Sequence, residues 1–381
     1  MAKVLATADW QLDMRAHKLS ERATSKLFQA RLDALENLLS LAEEHKVDCI
    51  LAAGDLFEVP NPRASLITDV ARLLHSNSSI EIHVIPGNHD LCGPGSVWSK
   101  PEMTAIPHLH VHENYSPVEL ESFVLHPIPV HNIHRLDHYD ELLSDVKSDD
   151  RIHIVMAHAH DISYMDFTTS DHEVRAKLPI DTRELKNKGY DLCVLGHWHS
   201  WTQVQDNALY PGTHEQTKFG EGDAGNVALI TVNKGQTPIF EKLQTGQLRW
   251  QTKSIAVDDL SEGDIIQHLH ELKNEGCDFL QVTMTGEANI DFITDSIPRI
   301  KQASDPMFDY IEIDSSGIKK HIDVKQLQRK HALPLLLEKI QSDILQELNA
   351  AADEDEQERL LAELEEFWRS LRDTGLLGGG N

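Results

Sequence analysis

The chain has 381 residues, of which 62 are acidic and 35 basic, giving a formal net charge of −27. A protein that grips nucleic-acid phosphates unaided shows a basic face, so either nucleic acid is not the substrate or a partner supplies much of the grip. Hydrophobic residues at 40% and charged residues at 25% describe an ordinary soluble globular chain, long enough for one large domain and a smaller one. No apolar run approaches the roughly 18 residues of a membrane span, and the opening MAKVLATADW does not read as a signal peptide. Cys49, Cys92, Cys193 and Cys277 are far apart, with no CxxC pair, and are expected as reduced thiols of a cytoplasmic protein.

The first element is the apolar run VLATA, which ends at Asp9-Trp10-Gln11. Residues 24–45 then repeat Leu and Ala at helical spacing, as does SLITDVARLLHSN. Between these two helical stretches CILAAG reads as a strand ending at Asp55. After them IHVIPG ends at Asn88-His89-Asp90. IHIVMA is followed by His158 and then His160, and CVLG by His197-Trp198-His199. Alternation of apolar runs and amphipathic helices through about residue 200 predicts a mixed or parallel sheet covered by helices. From about 203 to 242 short strands with Gly-rich turns predict a hairpin-rich second sheet. Residues near 255–315 read strand, helix, strand, helix, strand, a small separate α/β module. In EDEQERLLAELEEFWRSLRD the residues Leu360, Leu361, Leu364, Phe367, Trp368 and Leu371 fall on one helix face, and TGLLGGGN reads as a flexible tail.

Five strand ends thus carry Asp, Asp, Asn-His-Asp, His and His-x-His. Sites in open α/β sheets form beyond the carboxyl ends of the strands, so these residues are expected to converge at one edge. A pair of divalent ions about 3.5–4 Å apart needs a bridging carboxylate, a few further ligands each, and open positions for water and phosphate. Imidazole with carboxylate suits Mn, Fe or Zn. Such a centre lowers the pKa of a bound water until it is hydroxide near neutral pH, and a histidine not committed to metal assists the leaving oxygen. Each piece alone has a plainer reading: a Gly-Asp after a strand is a turn, and Asn88-His89-Asp90 a turn with capping residues. Their joint occurrence in this order is what points to chemistry.

Taken together the residues D9-W-Q, G54-D55, G87-N88-H89-D90, H158 and G196-H197-W-H199 resemble the motifs of the calcineurin-like metallophosphoesterases. Within that superfamily the chain is most similar to the SbcD-type DNA repair nucleases, through Gly-Asp-Leu-Phe at 54–57 and the stretch YPGTHEQTKFGEGDAGNVALITV. The resemblance implies a two-sheet α/β sandwich flanked by helices at 1–250, a small α/β capping domain at 251–322, and C-terminal helices at 323–381 that serve packing or docking. It implies one metal held by Asp9, Asp55 and His199, with position 11 as the usual further ligand, and a second held by Asp55, Asn88, His158 and His197. His89 faces the scissile phosphate in this reading, and Asp90 orients it through a carboxylate–imidazole hydrogen bond. His158 is preferred over His160 because it comes first after the strand. The two ions are expected to be Mn, with Mg, Fe or Zn as alternatives.

Gln11 is the departure from the pattern, since its neutral carbonyl oxygen is a weaker ligand than imidazole. The resemblance implies a DNA exo- or endonuclease, an SbcC-like ABC-type ATPase partner and a homodimer. Two other readings stay open: a phosphoesterase for a nucleotide or small phosphate ester, and a binding subunit with a weakened metal site. His108, His110 and His112 alternate along HLHVH and are expected on a solvated strand face. His131, His134, His268 and His270 are expected at surface or helix positions, and Trp198 in packing.

Overall fold

A computed structural model describes every residue except 15–18, 77–78, 132–141, 165–177, 290, 322–334 and most positions beyond 351. The chain divides into two compact units, Met1–Gln251 with Gly276–Leu280, and Thr252–Glu275 with Gln281–Asn381.

The first unit is built on two six-stranded sheets. In the first, β1 (Ala2–Thr7), β2 (Cys49–Ala52), β3 (Glu81–Val84) and β4 (Leu109–Val111) run parallel, and β13 (Asn226–Val232) and β14 (Ile239–Gln244) extend it antiparallel beyond β1. The second sheet holds β5 (Val118–Glu119), β6 (Val124–Ile128), β7 (His153–His158), β10 (Leu192–Gly196), β11 (Thr202–Gln205) and β12 (Ala208–Tyr210). Its strand order is β11-β12-β10-β7-β6-β5. Two short strands, β8 (His160–Asp161) and β9 (Pro179–Ile180), pair apart from both.

Strand periodicity explains the layering. Side chains alternate between faces along a strand, and here both faces of the central strands are apolar. Val4, Ala6, Leu51, Ile154, Met156, Leu192, Val194 and Ile230 fill one core cluster between the sheets. Leu5, Ile50, Ala52, Ile82 and Val84 face the other way, against Leu35, Leu38 and Leu39 of helix α1 (Glu21–His45) and Leu66, Ile67 and Val70 of helix α2 (Ala64–Ser76). Val155, Ala157, Cys193 and Leu195 form the outer core of the second sheet with Ile180 and Leu185. Helix α1 starts where Ser20 accepts a hydrogen bond from the Ala23 amide and stops at Lys46, which is left-handed with φ 51°.

Two expectations need correcting. The ligand-bearing strands belong to two sheets, not one edge: β1, β2 and β3 to the first, β7 and β10 to the second. The strands between 203 and 242 also divide. β11 and β12 join the second sheet, but β13 pairs antiparallel with β1, Ala2 opposite Val232 and Ala6 opposite Ala228. The reason is that β13 is apolar on both faces: Val227 and Leu229 enter the helix-side core and Ala228, Ile230 and Val232 the inter-sheet core.

The strands β15 (Trp250–Ala256), β16 (Phe279–Asn289) and β17 (Tyr310–His321) form a three-stranded sheet, of which all but the first two residues of β15 and of β16 belong to the second unit. Helices at Glu262–Asn274 and Ile297–Ser304 lie between them in sequence, and the first opens on a capping box of Ser261 and Asp264. A helix follows at Leu335–Ala350. Leu360 is buried and Phe367 half-buried, whereas Leu361, Leu364, Trp368, Leu371 and the tail TGLLGGGN lie outside the described residues. No helix among the described residues is long and apolar enough to cross a membrane.

Candidate metal centre

The site is made by loops that leave the strand ends in left-handed backbone. Asp9 (φ 53°), Gln11 (φ 48°), Asp55 (φ 54°) and His197 (φ 107°) all carry positive φ. Such residues cost about 1–3 kcal/mol each and persist only where the surroundings over-determine them. Here the first loop is stitched to the second: the amides of Asp9, Gln11 and Leu12 donate to the carbonyls of Gly54, Asp55 and Leu56 at 3.0, 3.1 and 3.0 Å. The buried Arg31 of α1 donates from Nη1 to the Gln11 carbonyl at 3.1 Å. Two glycines let the loops close. A Cβ on Gly54 would stand 2.6 Å from His158 Nδ1, and one on Gly87 only 2.1 Å from Asp55 Oδ1.

Asp55, His158 and His197 form a group whose ligand atoms lie within 4.8 Å of one another. His158 Nδ1 is 2.9 Å from the Ala53 carbonyl, which only accepts, so that nitrogen carries the proton and Nε2 faces the cluster. Around Nε2 stand Asn88 Oδ1 at 3.0 Å, Asp55 Oδ2 at 3.3 Å and His197 Nδ1 at 3.3 Å. Four donor atoms facing one another are a chemically suitable cage for a divalent cation. Burial favours a neutral His158 ring, but Asp55 overrides it and holds the pKa up at about 9, so a cation entering here would take the place of the Nε2 proton. Burial likewise works against the Asp55 carboxylate, yet His158 and then His89 keep it anionic, at about 2. Burial and the adjacent His158 push His197 well below its ordinary value, so its ring is neutral and able to coordinate.

Asp9 and His199 stand outside that compact group, and Gln11 borders it at Asp55. Asp9 is fully buried, and both its oxygens accept from the His197 amide, at 3.1 and 2.9 Å. Burial raises its pKa to about 6, against the pull of His158 and His199. Gln11, 2% exposed, places Nε2 3.4 Å from Asp55 Oδ2. His199 Nδ1 lies 2.6 Å from Glu221 Oε1. Sequence reasoning gave Glu221 no role, although it sits in the FGEG turn. The one signal available for it was a carboxylate set between two glycines. The turn is closed by Thr217, whose hydroxyl and amide donate to the two Glu221 oxygens at 2.7 Å each.

His89 sits at the rim, its side chain 41% exposed, with its amide donating to Asp55 Oδ1 at 2.8 Å. The expected Asp90–His89 hydrogen bond is not there. The Asp90 carboxylate is fully buried and accepts from the amides of Gly87 at 2.7 Å and Leu56 at 2.9 Å. It thereby ties the loop after β3 to the loop after β2, where buried amides must find an acceptor. The His89 ring is instead held by the Glu58 carbonyl, 3.1 Å from Nδ1. Glu58 went unnoticed because it acts through its backbone.

His160 does not join the cluster. Its Nδ1 accepts from Trp198 Nε1 at 3.2 Å, and its ring meets His197 edge-on, centroids 4.0 Å apart. Trp198 itself stacks on Tyr210 at 4.8 Å, the packing role expected of it. Of the alternating histidines, His110 and His112 both stack on His83, with centroids 5.0 and 5.2 Å apart, whereas His108 Nε2 donates to the Leu74 carbonyl at 2.9 Å. The face is not merely solvated. His83, buried on β3 opposite His110, places Nδ1 2.9 Å from His112 Nε2. His131, His268 and His270 are at the surface, and His134 lies outside the described residues.

Residues 2–201 match the calcineurin-like phosphoesterase family, and the chain belongs to it. It is therefore a hydrolase of phosphate esters that works with divalent metal, and Asp55, His158 and His197 fit that need. Among curated proteins, the SbcD subunit of nuclease SbcCD from Escherichia coli (strain K12) is 32% identical over 90 residues, 23% of this chain and 21% of that protein. The SbcD subunit from Bacillus subtilis (strain 168) is 33% identical over 94 residues, 23% of this chain and 22% of that one. The chain thus matches about a fifth of the length of these relatives. Among solved structures, TT1561 of Thermus thermophilus superposes with a TM-score of 0.40 at 14% identity, covering 64% of this chain and 99% of that one. A dimetal phosphatase from Danio rerio gives 0.40 at 11% identity, covering 63% and 98%.

Proposed function

We propose that the protein is a metal-dependent DNA nuclease that hydrolyses phosphodiester bonds. In this reading it is the nuclease subunit of an SbcCD-like complex with a coiled-coil ABC-type ATPase, in repair or in defence. The observation that supports this is the 32% identity to SbcD over 90 residues. Two divalent ions, manganese first, would polarise the phosphate and supply hydroxide near neutral pH. The rest falls to side chains of this chain. In this reading Asp55 would be shared by two donor sets, Asn88, His158 and His197 in one and Asp9 and His199 in the other. With Nδ1–H hydrogen-bonded to the Glu58 carbonyl, His89 keeps Nε2 clear of that bond, and in the protonated ring Nε2–H would pass its proton to the leaving oxygen. An ATPase that clamps the DNA would supply the basic grip that a −27 subunit lacks, and a second copy of this chain would complete the assembly as a homodimer.

That same charge favours one rival, a phosphoesterase for a nucleotide or small phosphate ester. The deciding experiment gives purified protein and Mn linear duplex DNA, bis-p-nitrophenyl phosphate and a nucleotide monoester. Cleavage of DNA and the diester, abolished by His89→Ala and by Asp55→Ala, supports the nuclease. Turnover of the monoester alone supports the rival. No turnover with any divalent ion, with or without an ATPase partner, sinks the enzyme reading and leaves a binding subunit.

A further inference from the structure

We propose that the metal centre is unequal by construction: one ion is held tightly by Asp55, Asn88, His158 and His197, and the other, beside Asp9 and His199, exchanges with solution because Gln11 satisfies Asp55 when that position is empty. The inference rests on the reading of this site as a phosphoesterase centre.

The backbone gives Gln11 little freedom. Its amide is tied to Asp55, its carbonyl to Arg31, and its φ is 48°. The side chain is 2% exposed and ends 3.4 Å from Asp55 Oδ2. A carboxylate only accepts hydrogen bonds, so the atom of the amide that faces it is the nitrogen, whichever way the group is drawn. A cation beside Asp55 needs the opposite: the amide must turn over, present Oε1 and give up its hydrogen bond. Emptying this position therefore leaves Asp55 with a partner, which lowers the cost of losing the ion. Gln11 is also a weaker donor to Mn or Zn than an imidazole, even when turned. The remaining donors here are Asp9, already engaged by the His197 amide, and His199. The set of Asp55, Asn88, His158 and His197 has no such reversal to make. His158, its Nδ1 held by the Ala53 carbonyl, already points Nε2 at the other three, so no ring has to turn.

The test is Mn binding by the full chain, followed by calorimetry and by low-temperature electron paramagnetic resonance, with melting curves to confirm that each variant is folded. Wild type should bind one Mn tightly and a second about tenfold more weakly or worse. Spin coupling between the ions should appear only once the second is loaded. Gln11→His should tighten the second ion about tenfold and bring coupling in at two equivalents. Gln11→Ala separates a hydrogen-bond donor from a ligand: the second affinity should hold or rise. A fall beyond about threefold makes Gln11 a ligand and overturns the proposal. Two equal sites in wild type overturn it as well, while leaving the phosphoesterase centre standing. If no tight Mn binds, or if Asp55→Ala leaves binding intact, the phosphoesterase reading fails together with the proposal.

Discussion

His199 Nδ1 is 2.6 Å from Glu221 Oε1, a carboxylate 22 residues further along the chain. Burial alone would lower the pKa of the ring, but the bond to Glu221 raises it, and burial of Glu221 is likewise outweighed by His199. The pair fixes which nitrogen of His199 faces the centre and makes it a stronger donor. Glu221→Gln keeps the shape and removes the charge. Mn affinity should fall about tenfold or more with the melting temperature little changed, read by calorimetry. Unchanged affinity would leave Glu221 as a turn residue only.

His89 and Asp90 are adjacent yet should fail differently. Asp90→Ala strands the buried amides of Gly87 and Leu56, so stability should drop by about 2–4 kcal/mol in urea unfolding. His89→Gln should leave stability within about 0.5 kcal/mol while hydrolysis collapses. Equal stability losses in the two variants would undo this division of labour.

Gly87 admits no side chain. A Cβ there would meet Asp55 Oδ1 at 2.1 Å and the Asp55 amide at 2.5 Å, whereas one on Gly93 would meet nothing within 4 Å. Gly87→Ala should therefore lose Mn binding, and Gly93→Ala, a few residues along the same loop, should keep it. Calorimetry on the two proteins decides the point.

Four buried histidines should contribute less stability in mild acid. Burial drives His83 to about 3, helped by His112 and His110, and His112 itself to about 4, helped by His110. Burial also takes His126 to about 4, with His153 assisting, and His214 to about 3. Their folded pKa values lie below the unfolded value of about 6.5, so the unfolded chain binds protons first as pH falls. Their stabilisation is complete above about pH 6.5 and is lost progressively as pH falls through their folded values of about 4 and 3. His214→Gln retains a donor for the Arg31 carbonyl and should flatten the slope of unfolding free energy against pH. An identical slope in that variant would exclude His214 as a contributor.

The grouping of Asp55, His158 and His197 was legible because each follows or ends an apolar strand in sequence, and strand ends of an α/β layer meet in space. What was not legible depends on tertiary direction. Nothing in the string GNHD says that the Asp90 carboxylate turns inward to backbone amides. Arg31 and Glu221 belong to a helix and a turn with no motif of their own. The assignment of β13 to the first sheet was hidden because its two faces are equally apolar, so alternation could not say which neighbour it would choose. His83 stood alone in IHVI, and only the β3–β4 register brings it to His112.

The donors hang from two separate leaves: Asp9, Asp55 and Asn88 from the first sheet, His158, His197 and His199 from the second. An ion caught among them would pin one leaf to the other, and a chelator that drew it out would leave the apolar core between the sheets and the hydrogen bonds between the loops to hold them. The loops that break a phosphate ester would then also govern how far the two halves of the sandwich can slip.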